Sequence, residues 1–527
     1  MRPRADIVQL SQRLGLGIGA SEVGDYERLM STMFETVDRF QSLPSPEPRI
    51  ARTTRREALG RPARGEDPLN AIAQRCLVDG AAHGVLSGVR TTVKDLIPIA
   101  SVPMSAGTEA FADYVPSEDA ELTRRLLDAG ATIVATTNMD AMAFSAGGDS
   151  CRYGVVHNPF DPSRTACGSS SGAAASLFYE AIDLSWGTDT AGSIRIPASW
   201  CGVIGLKPTH GIVPATGILS PDWSCDHLGP LARSTAMIAR GLDAVVSGHS
   251  LDIDYPNPAR TVPTGGYLES VTAAPTSLSG LRVAVIEEGF PDILEPGGDF
   301  PEGTRETTAA VFEAVRELGA LGAVVTRLGF PQLLDGADVM FASLVEAATS
   351  AAMGWPTGSH QLTEPSEDLA RGSHHARTNH ANEFPPAFKL VLMLGMHLND
   401  DFGGTLNARA RRLAMTLRGA VDRLFVDFDV LAMPTTTHYA HGADETLGIA
   451  DRVLRGWDML ANAPTFNLTG HPAISLPLAE ADGLPVGVML VAPRFSDAKL
   501  LETSQVCERQ MGWLPTTPPA AAKSQTG

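Results

Sequence analysis

Short apolar segments alternate with helical segments between Pro68 and about Leu231, and this alternation is the feature that constrains the fold most. Glycines punctuate the boundaries between the segments. Such alternation predicts an α/β fold, here an α/β/α sandwich in which helices cover both faces of a large mixed sheet. The predicted strands are residues 90–93, 132–135 and 184–186, and the predicted helices are residues 69–77, 118–127 and 172–181.

The same pattern returns towards the C-terminus. Strands are predicted at residues 281–286, 323–328, 430–433, 473–477 and 486–491, and helices at residues 304–318 and 498–511. Residues 331–420 are instead mostly helical, with a histidine-rich, proline-broken segment at 374–386. This composition indicates a helical, lid-like insertion that covers one end of the sheet.

These segments predict one large domain with two appendages. Helical spacing of apolar residues from Ile7 to Phe40 indicates an N-terminal helical arm, which proline then ends. The predicted organisation is an arm and linker at 1–67, a domain at 68–515 and a flexible tail at 516–527. Within the domain, the core comprises residues 68–330 and 421–515, and the insertion comprises about 331–420.

Charge and hydropathy exclude several classes of protein. Of the 527 residues, 43% are hydrophobic and 19% are charged, which is typical of a globular chain and not of a disordered or membrane-embedded one. The net charge of −19 makes nucleic acid and membrane surfaces unfavourable partners. Six cysteines without a C-x-x-C pair indicate neither a zinc site nor a disulfide framework, and residues 1–20 lack the apolar run of a signal peptide. We therefore expect a cytoplasmic protein.

Three polar elements within the α/β pattern point to catalysis. Ser169, Ser170 and Ser171 stand between glycines ahead of an alanine-rich helix, although an N-cap needs only one hydroxyl. Residues 187–197 follow a predicted strand and lead into a predicted helix, so their N–H groups converge and can bind an oxyanion. Lys94 stands among apolar strand residues. At a sheet edge it is an ordinary solvated lysine, but burial would lower its pKa and make it a usable base.

Together these elements resemble the amidase signature family of Ser-Ser-Lys amide hydrolases. The resemblance is close over residues 68–233 and looser as far as residue 494, and the spacing of the three elements is that of the family. It implies that Ser193 is the nucleophile, Ser169 the bridging serine and Lys94 the base. Further matches lie at residues 153–154, 158–161, 205–209, 226–233 and 466–472.

The resemblance also implies roles for residues around this triad. The oxyanion hole is expected from the N–H groups of Thr190, Ala191, Gly192 and Ser193, and the serines and their loop are expected to be ordered by Ser170, Asp189 and Arg195. The substrate wall is expected at Ala141, Phe144, Gly147, Gly148 and Gly168. Cys167 and Ala191 each replace a family glycine, so a positive φ at either position would be strained. The resemblance implies no cofactor and no metal.

The implied reaction is amide hydrolysis through an acyl-enzyme. The small, uncharged wall favours a stand-alone hydrolase of neutral, hydrophobic amides, similar to bacterial amidases and aryl acylamidases, a group in which esterase and carbamate-cleaving (urethanase) activities also occur. N-aryl amides and carbamates are expected to react faster than glutamine or asparagine, because the wall offers no charged anchor for a zwitterion. The oligomeric state is left open, a homodimer included.

Four alternatives compete with this interpretation. Residues 168–172 also fit the G-x-S-x-G nucleophile elbow, with Ser170 as nucleophile, but an elbow requires a strand immediately before it. A metal site would draw on His374, His375 and His380, or on His438 and His441, although no carboxylates accompany them at helical spacing. The family also includes glutaminase subunits of tRNA-dependent amidotransferases. A catalytically silent binding protein would keep the fold and lose the activity.

Overall fold

The computed structural model describes residues 6–44, 47–63, 65–220, 222–246, 265–353, 366–444 and 446–513. The chain divides into two units, Met1–Pro48 and Arg49–Gly527. The first unit contains the helices Ile7–Leu14 and Val23–Gln41. Gly15 ends the first of these with a left-handed backbone (φ 65°), so the predicted arm consists of two helices. The predicted tail at 516–527 lies outside the described residues.

A mixed sheet forms the centre of the second unit. Over the described residues it has 12 strands in the order β1-β2-β4-β3-β5-β7-β6-β11-β12-β10-β8-β9. The strands are β1 Arg56–Gly60, β2 Ile72–Asp79, β3 Arg90–Lys94, β4 Thr132–Thr137, β5 Leu184–Asp189, β6 Ile204–Lys207, β7 His227–Ala232, β8 Arg282–Ile286, β9 Val324–Leu328, β10 Val430–Pro434, β11 Ala473–Ala481 and β12 Leu484–Val491. The pairs β3–β4, β3–β5, β8–β9 and β8–β10 are parallel, and the other pairs are antiparallel. The predicted α/β class with a mixed sheet is confirmed.

Helices flank this sheet. The described helices of the second unit are Glu121–Asp128, Ser171–Ala175, Arg195–Cys201, Thr235–Val245, Tyr267–Thr272, Pro291–Leu294, Thr304–Ala320, Asp335–Met353, Glu367–Asn379, Pro386–Phe402, Thr405–Asp427, Ile449–Asp458, Pro464–Thr469 and Asp497–Met511. Ser171–Ala175 is shorter than the helix predicted at 172–181, and its contacts are with β3, β4, β5 and β7. Among the described helices, none combines the length and the apolar character that crossing a bilayer requires.

One predicted helix is a strand. Residues 69–77 were expected to be helical, but Ile72–Asp79 forms β2, and that prediction was wrong. β2 pairs with β1 on one side and with β4 on the other, and it buries Cys76 and Val78. The ladder hydrogen bonds on both sides outweigh the local helical spacing of apolar residues, which carries no information about neighbouring strands.

The predicted insertion is helical in the described residues. Between 331 and 420 it contributes Asp335–Met353, Glu367–Asn379, Pro386–Phe402 and most of Thr405–Asp427. Two of these helices cross closely at Gly395, where an added Cβ would lie 2.1 Å from Thr349 Oγ1. The insertion is also tied to the core, because the Asp368 carboxylate accepts hydrogen bonds at 2.9 Å from the Tyr114 hydroxyl and from Ser117 N–H.

Candidate active site

Lys94 lies at the carboxyl end of β3, and its parallel neighbour β5 carries Thr188 at the same edge of the sheet. The Lys94 Nζ donates hydrogen bonds to Ser169 Oγ at 2.7 Å and to Thr188 Oγ1 at 2.9 Å. Lys94 and Ser169 are both fully buried. The structure therefore brings together two residues of the predicted triad. Thr188 stands in the polar stretch at 187–197, but the sequence alone did not single it out.

Burial controls the charge of Lys94. Loss of solvation disfavours the ammonium form and lowers the pKa of Lys94 to about 7, although the nearby carboxylates of Asp140 and Asp189 act in the opposite direction. An amine with this pKa exists largely as the free base just above neutral pH, where it can accept a proton.

Asp140 holds the segment that carries Ser169. The peptide bond between Gly168 and Ser169 is cis. Asp140 N–H donates to Ser169 O at 3.2 Å. The Asp140 carboxylate accepts Gly148 N–H at 2.9 Å and Ser150 N–H at 3.1 Å. A Cβ on Gly168 would lie 1.9 Å from Asp140 Oδ2, so this position, predicted as part of the substrate wall, requires glycine.

Ser193 lies in the loop that follows β5 and is 7% exposed. Its carbonyl accepts Ser170 N–H at 3.2 Å, which brings the two serine-bearing segments side by side. Gly192 N–H donates to Asp189 Oδ1 at 2.8 Å. The N–H groups of Ala191 and Ser193 have no acceptor among the described residues. Of the expected oxyanion donors, Gly192 is therefore already engaged, whereas Ala191 and Ser193 each have an N–H to offer.

The two departures from the family's glycines have different outcomes. In the Ser193 loop the positive φ belongs to Gly192 (131°), and Ala191 does not share it, so alanine fits there without strain. Cys167 does have a positive φ, 60°. Its thiol donates to Ala146 O at 2.6 Å and lies 3.2 Å from Met459 Sδ, contacts that a glycine lacks. These contacts hold Cys167 in a conformation that non-glycine residues otherwise disfavour.

A fully buried ion pair anchors the Ser193 loop from behind. Arg195 donates to Asp189 through Nε at 3.0 Å and Nη2 at 2.9 Å, and neither side chain is exposed. Burial by itself raises the pKa of Asp189, but the charge and hydrogen bonds of Arg195 outweigh it and hold that pKa well below its usual range. Asn467 completes the cluster, donating to Asp189 Oδ1 at 2.8 Å and accepting from Arg195 at 2.6 Å. Asn467 lies in the matching stretch at 466–472 but had no predicted role.

Ser170 does not have the setting of a nucleophile. It is fully buried, and its Oγ donates to Thr188 O at 3.2 Å. No strand leads into it within the described residues, since the preceding segment holds only an isolated bridge at Thr165. The nucleophile elbow is therefore excluded by the backbone, and Ser170 instead links the serine segment to β5.

The expected substrate wall meets the helical insertion at an aromatic contact. Ala141 and Phe144 are buried. The ring centroid of Phe144 lies 5.1 Å from that of Phe388, which belongs to the insertion helix Pro386–Phe402. The same apolar cluster includes Val345 from the helix that crosses it. The insertion thus contributes side chains directly to the surroundings of this wall.

An ion pair lies beside the glycines of the wall. Asp149 directly follows Gly147 and Gly148, and its carboxylate accepts from Arg455 Nη2 at 2.5 Å. The Asp149 side chain is 3% exposed and that of Arg455 is 18% exposed. Arg455 also donates to Gly442 O at 3.2 Å. The charges are therefore matched to each other, and the sequence alone did not indicate this pair.

The histidines are placed as packing residues. His438 and His441 stack edge-on against Trp200, with ring centroids 5.7 Å and 4.9 Å from it, and burial lowers their pKa values to about 4 and about 3. His375 and His380 lie 5.3 Å apart by ring centroid. Within the described part of the chain, no three His, Cys, Asp or Glu side chains converge in a way suited to a metal ion.

Known proteins resemble this chain over most of its length. An enantioselective amidase of Rhodococcus rhodochrous is 32% identical over 474 residues, which is 88% of each chain. The glutamyl-tRNA(Gln) amidotransferase of Halobacterium salinarum has one subunit that is 31% identical over 448 residues, which is 84% of this chain and 100% of that protein. Among solved structures, the peptide amidase of Stenotrophomonas maltophilia has a TM-score of 0.64 and 28% identity, and the match covers 83% of this chain and 85% of that one.

A second solved structure, that of 6-aminohexanoate cyclic dimer hydrolase, has a TM-score of 0.68 and 26% identity, covering 82% of this chain and 86% of that one. The sequence model of the Amidase family matches residues 67–501. The match spans the sheet from β2 to β12 and includes the segments of Lys94, Ser169 and Ser193. This chain therefore belongs to the amidase signature family, whose members hydrolyse amide C–N bonds.

Proposed function

We propose that this amidase hydrolyses neutral amides by acyl transfer to Ser193, with Ser169 as proton relay and Lys94 as base. The observation that carries the proposal is the 2.7 Å contact between Lys94 Nζ and Ser169 Oγ, both fully buried. A neutral amine hydrogen-bonded to a serine hydroxyl can draw a proton through that serine from a nucleophile beside it. Thr188 supports this role, because its hydroxyl fixes the direction of the amine.

The first half-reaction transfers the acyl group. Ser169 gives its proton to Lys94 and takes the proton of Ser193 while Ser193 Oγ bonds to the carbonyl carbon. The N–H groups of Ala191 and Ser193 stabilise the oxyanion, with Thr190 at the start of the same segment. The proton then returns from Lys94 through Ser169 to the leaving nitrogen, the C–N bond breaks, and an ester remains on Ser193.

Water completes the cycle by the same route. A water molecule loses a proton to Ser169 and Lys94 as its oxygen attacks the ester carbon. The bond to Ser193 Oγ breaks, the acid leaves, and Ser193 regains its proton. Gly192 takes part indirectly, because its bond to Asp189 fixes the loop that carries both oxyanion donors.

The proposed substrates are aryl and aliphatic amides with uncharged acyl groups. Ala141, Phe144 and Phe388 supply an apolar wall, which favours neutral substrates. The nearby Asp149 and Arg455 are paired with each other, so holding a zwitterion would require breaking a partly buried ion pair. Carbamates and esters present a carbonyl in the same geometry, and we include both in the range.

Hydrolysis of a matched substrate panel tests this proposal. The panel comprises a nitroanilide, a primary amide and a nitrophenyl ester of one acyl group, an N-aryl carbamate, and glutamine. We expect kcat/KM for the nitroanilide and the N-aryl carbamate to exceed that for glutamine, because an aniline leaves more readily than ammonia. A preference for glutamine that appears only with added amidotransferase subunits would support the glutaminase alternative. Binding without turnover of any panel member would support a silent binding protein.

The cysteines support the cytoplasmic location that we propose. All six are free, and five of them are buried, as in proteins of reducing compartments. Cell fractionation of the native host tests this location, and recovery of the protein outside the cytoplasm would contradict it. A homodimer stays a prediction that light scattering of the purified protein can test.

A further inference from the structure

Asp226 is a buried carboxylate next to the Ser193 loop, and neither the family resemblance nor the proposed mechanism gives it a role. It is 5% exposed and directly precedes β7, the antiparallel neighbour of β5. The Thr190 hydroxyl donates to Asp226 Oδ1 at 2.5 Å, and the Ser220 hydroxyl donates to Asp226 Oδ2. Each carboxylate oxygen therefore accepts one hydroxyl, and one of these hydroxyls belongs to the oxyanion segment.

The backbone that carries Asp226 is itself braced. Asp226 N–H donates to Asp222 O at 3.0 Å. The Asp222 carboxylate accepts Ser224 N–H and the Ser343 hydroxyl, both at 3.0 Å, and Ser343 belongs to the insertion helix Asp335–Met353. Asp226 is thus fixed from the insertion as well as from the sheet, which makes it suited to holding another group in place.

Thr190 is the group that Asp226 holds. It separates Asp189, which Arg195 fixes at the end of β5, from Ala191, which has an N–H without an acceptor among the described residues. Oxyanion donors stabilise the transition state only when they point at the developing oxyanion, and a donor that is lost costs roughly 10²–10³ in kcat. The Thr190 side chain is therefore a handle by which the direction of this peptide segment is set.

We propose that Asp226 is a positioning residue for the oxyanion segment: by accepting the Thr190 hydroxyl, it holds the N–H groups of Ala191 and Ser193 towards the substrate carbonyl. This inference rests on the proposed function, since it requires Ser193 to be the nucleophile. Asp226 acts through Thr190 and does not itself touch the reacting atoms. Its effect therefore falls on the transition state, where the oxyanion exists, and much less on binding of the neutral substrate.

Steady-state kinetics of three variants test the proposal. Asp226→Ala is expected to lower kcat about 10- to 100-fold while KM changes less than about threefold, because only a transition-state interaction is disturbed. Asp226→Asn should recover most of the activity, because its amide can accept from Thr190 and donate to Ser220. Thr190→Val should lower kcat about as much as Asp226→Ala. The double variant Asp226→Ala/Thr190→Val should be no slower than either single variant.

A second Thr–Asp pair provides matched controls. The Thr308 hydroxyl donates to Asp292 Oδ1 at 2.5 Å, as Thr190 does to Asp226, but Thr308 lies in helix Thr304–Ala320, which packs on β9 to β12. Thr308→Val and Asp292→Ala should lower the melting temperature without changing kcat. If Asp226→Ala does not fold, Asp226→Asn and Thr190→Val still carry the test through their kcat values.

The outcomes separate this inference from the proposed function. Normal kcat in Thr190→Val and Asp226→Ala, with no turnover in Ser193→Ala, would overturn the inference alone. Losses that add in the double variant, or that appear in KM instead of kcat, would also overturn it. Full turnover in Ser193→Ala would overturn the proposed function itself.

Discussion

Thr188 Oγ1 accepts a hydrogen bond from Lys94 Nζ at 2.9 Å, and this contact joins the ends of two neighbouring parallel strands, β3 and β5. The same amine lies 2.7 Å from Ser169 Oγ. A lysine side chain has several rotatable bonds, so a second partner is needed to keep its amine pointed at one serine. The sheet register thus sets the direction of the base that we propose.

Thr188→Val should lower kcat about tenfold, because it keeps the shape of the side chain but removes the hydroxyl that orients Lys94. The matched variant Thr188→Ser keeps the hydroxyl and should retain near-normal kcat. Steady-state kinetics with one nitroanilide compare the two. Equal kcat in Thr188→Val and Thr188→Ser would show that the hydroxyl has no role in orienting the base.

The kcat/KM of the enzyme should rise with pH through about 7 and then level off. The pKa of Lys94 is lowered to about 7 by burial, so the protonated form that cannot accept a proton predominates below this pH. Burial also raises the pKa of Asp226 to about 7. Asp226→Asn distinguishes the two groups: the rising limb should persist in this variant if Lys94 causes it. Loss of the limb in Asp226→Asn would assign the titration to Asp226 instead.

Stability should report the same titration with a definite sign. The pKa of Lys94 falls from 10.5 to about 7 on folding, so between these pH values the unfolded chain binds the extra proton. Stability contributed by this group therefore rises with pH over that range, by at most about 1.4 kcal/mol per pH unit. Urea unfolding should show the wild type gaining stability relative to Lys94→Met between pH 7 and pH 10. A pH-independent difference would show that Lys94 keeps an ordinary pKa.

Arg195→Met should destabilise the protein by roughly 3–5 kcal/mol, because it leaves the Asp189 carboxylate buried without its partner. Activity should fall as well, since Asp189 holds Gly192 N–H in the Ser193 loop. The control is Arg316→Met, which removes an exposed pair with Glu313 and should cost less than about 1 kcal/mol. Urea unfolding measures both. Similar costs for the two variants would contradict the anchoring role of the buried pair.

Gly168→Ala should abolish activity and destabilise the fold by at least about 1–3 kcal/mol, because its Cβ would overlap Asp140 Oδ2. Asp140 cannot move aside cheaply, since its carboxylate also accepts Gly148 N–H and the Ser150 hydroxyl. In the control Gly319→Ala, the nearest atom to the new Cβ is Val325 Cγ2 at 3.8 Å, so no loss is expected. An active, stable Gly168→Ala would show that the Asp140 carboxylate is free to rearrange.

Local sequence carries the part of the site that could be predicted. Lys94, the serine run from Ser169 and the loop ending at Ser193 are each short stretches of unusual composition, and the structure brings Lys94 within hydrogen-bond distance of Ser169. The α/β class follows from the alternation of segments in the same way. Both inferences depend on neighbours in the chain, which a sequence displays directly.

Contacts between distant segments could not be predicted in this way. Asn467 contacts Asp189, and Asp226 contacts Thr190, because strand pairing returns β7 to β5 and places the segment before β11 behind the loop. The wrong assignment of Ile72–Asp79 has the same origin, since β2 is fixed by ladders to β1 and β4 and not by its own spacing. Such residues become visible only when the sheet order is known.

Mass spectrometry of the enzyme quenched during turnover of a nitrophenyl ester tests the central claim most directly. The account predicts an added acyl mass on the peptide that carries Ser193, absent from Ser193→Ala and formed much more slowly in Lys94→Met. An acyl group on Ser170 or on any other residue, or undiminished turnover by Ser193→Ala, would contradict it.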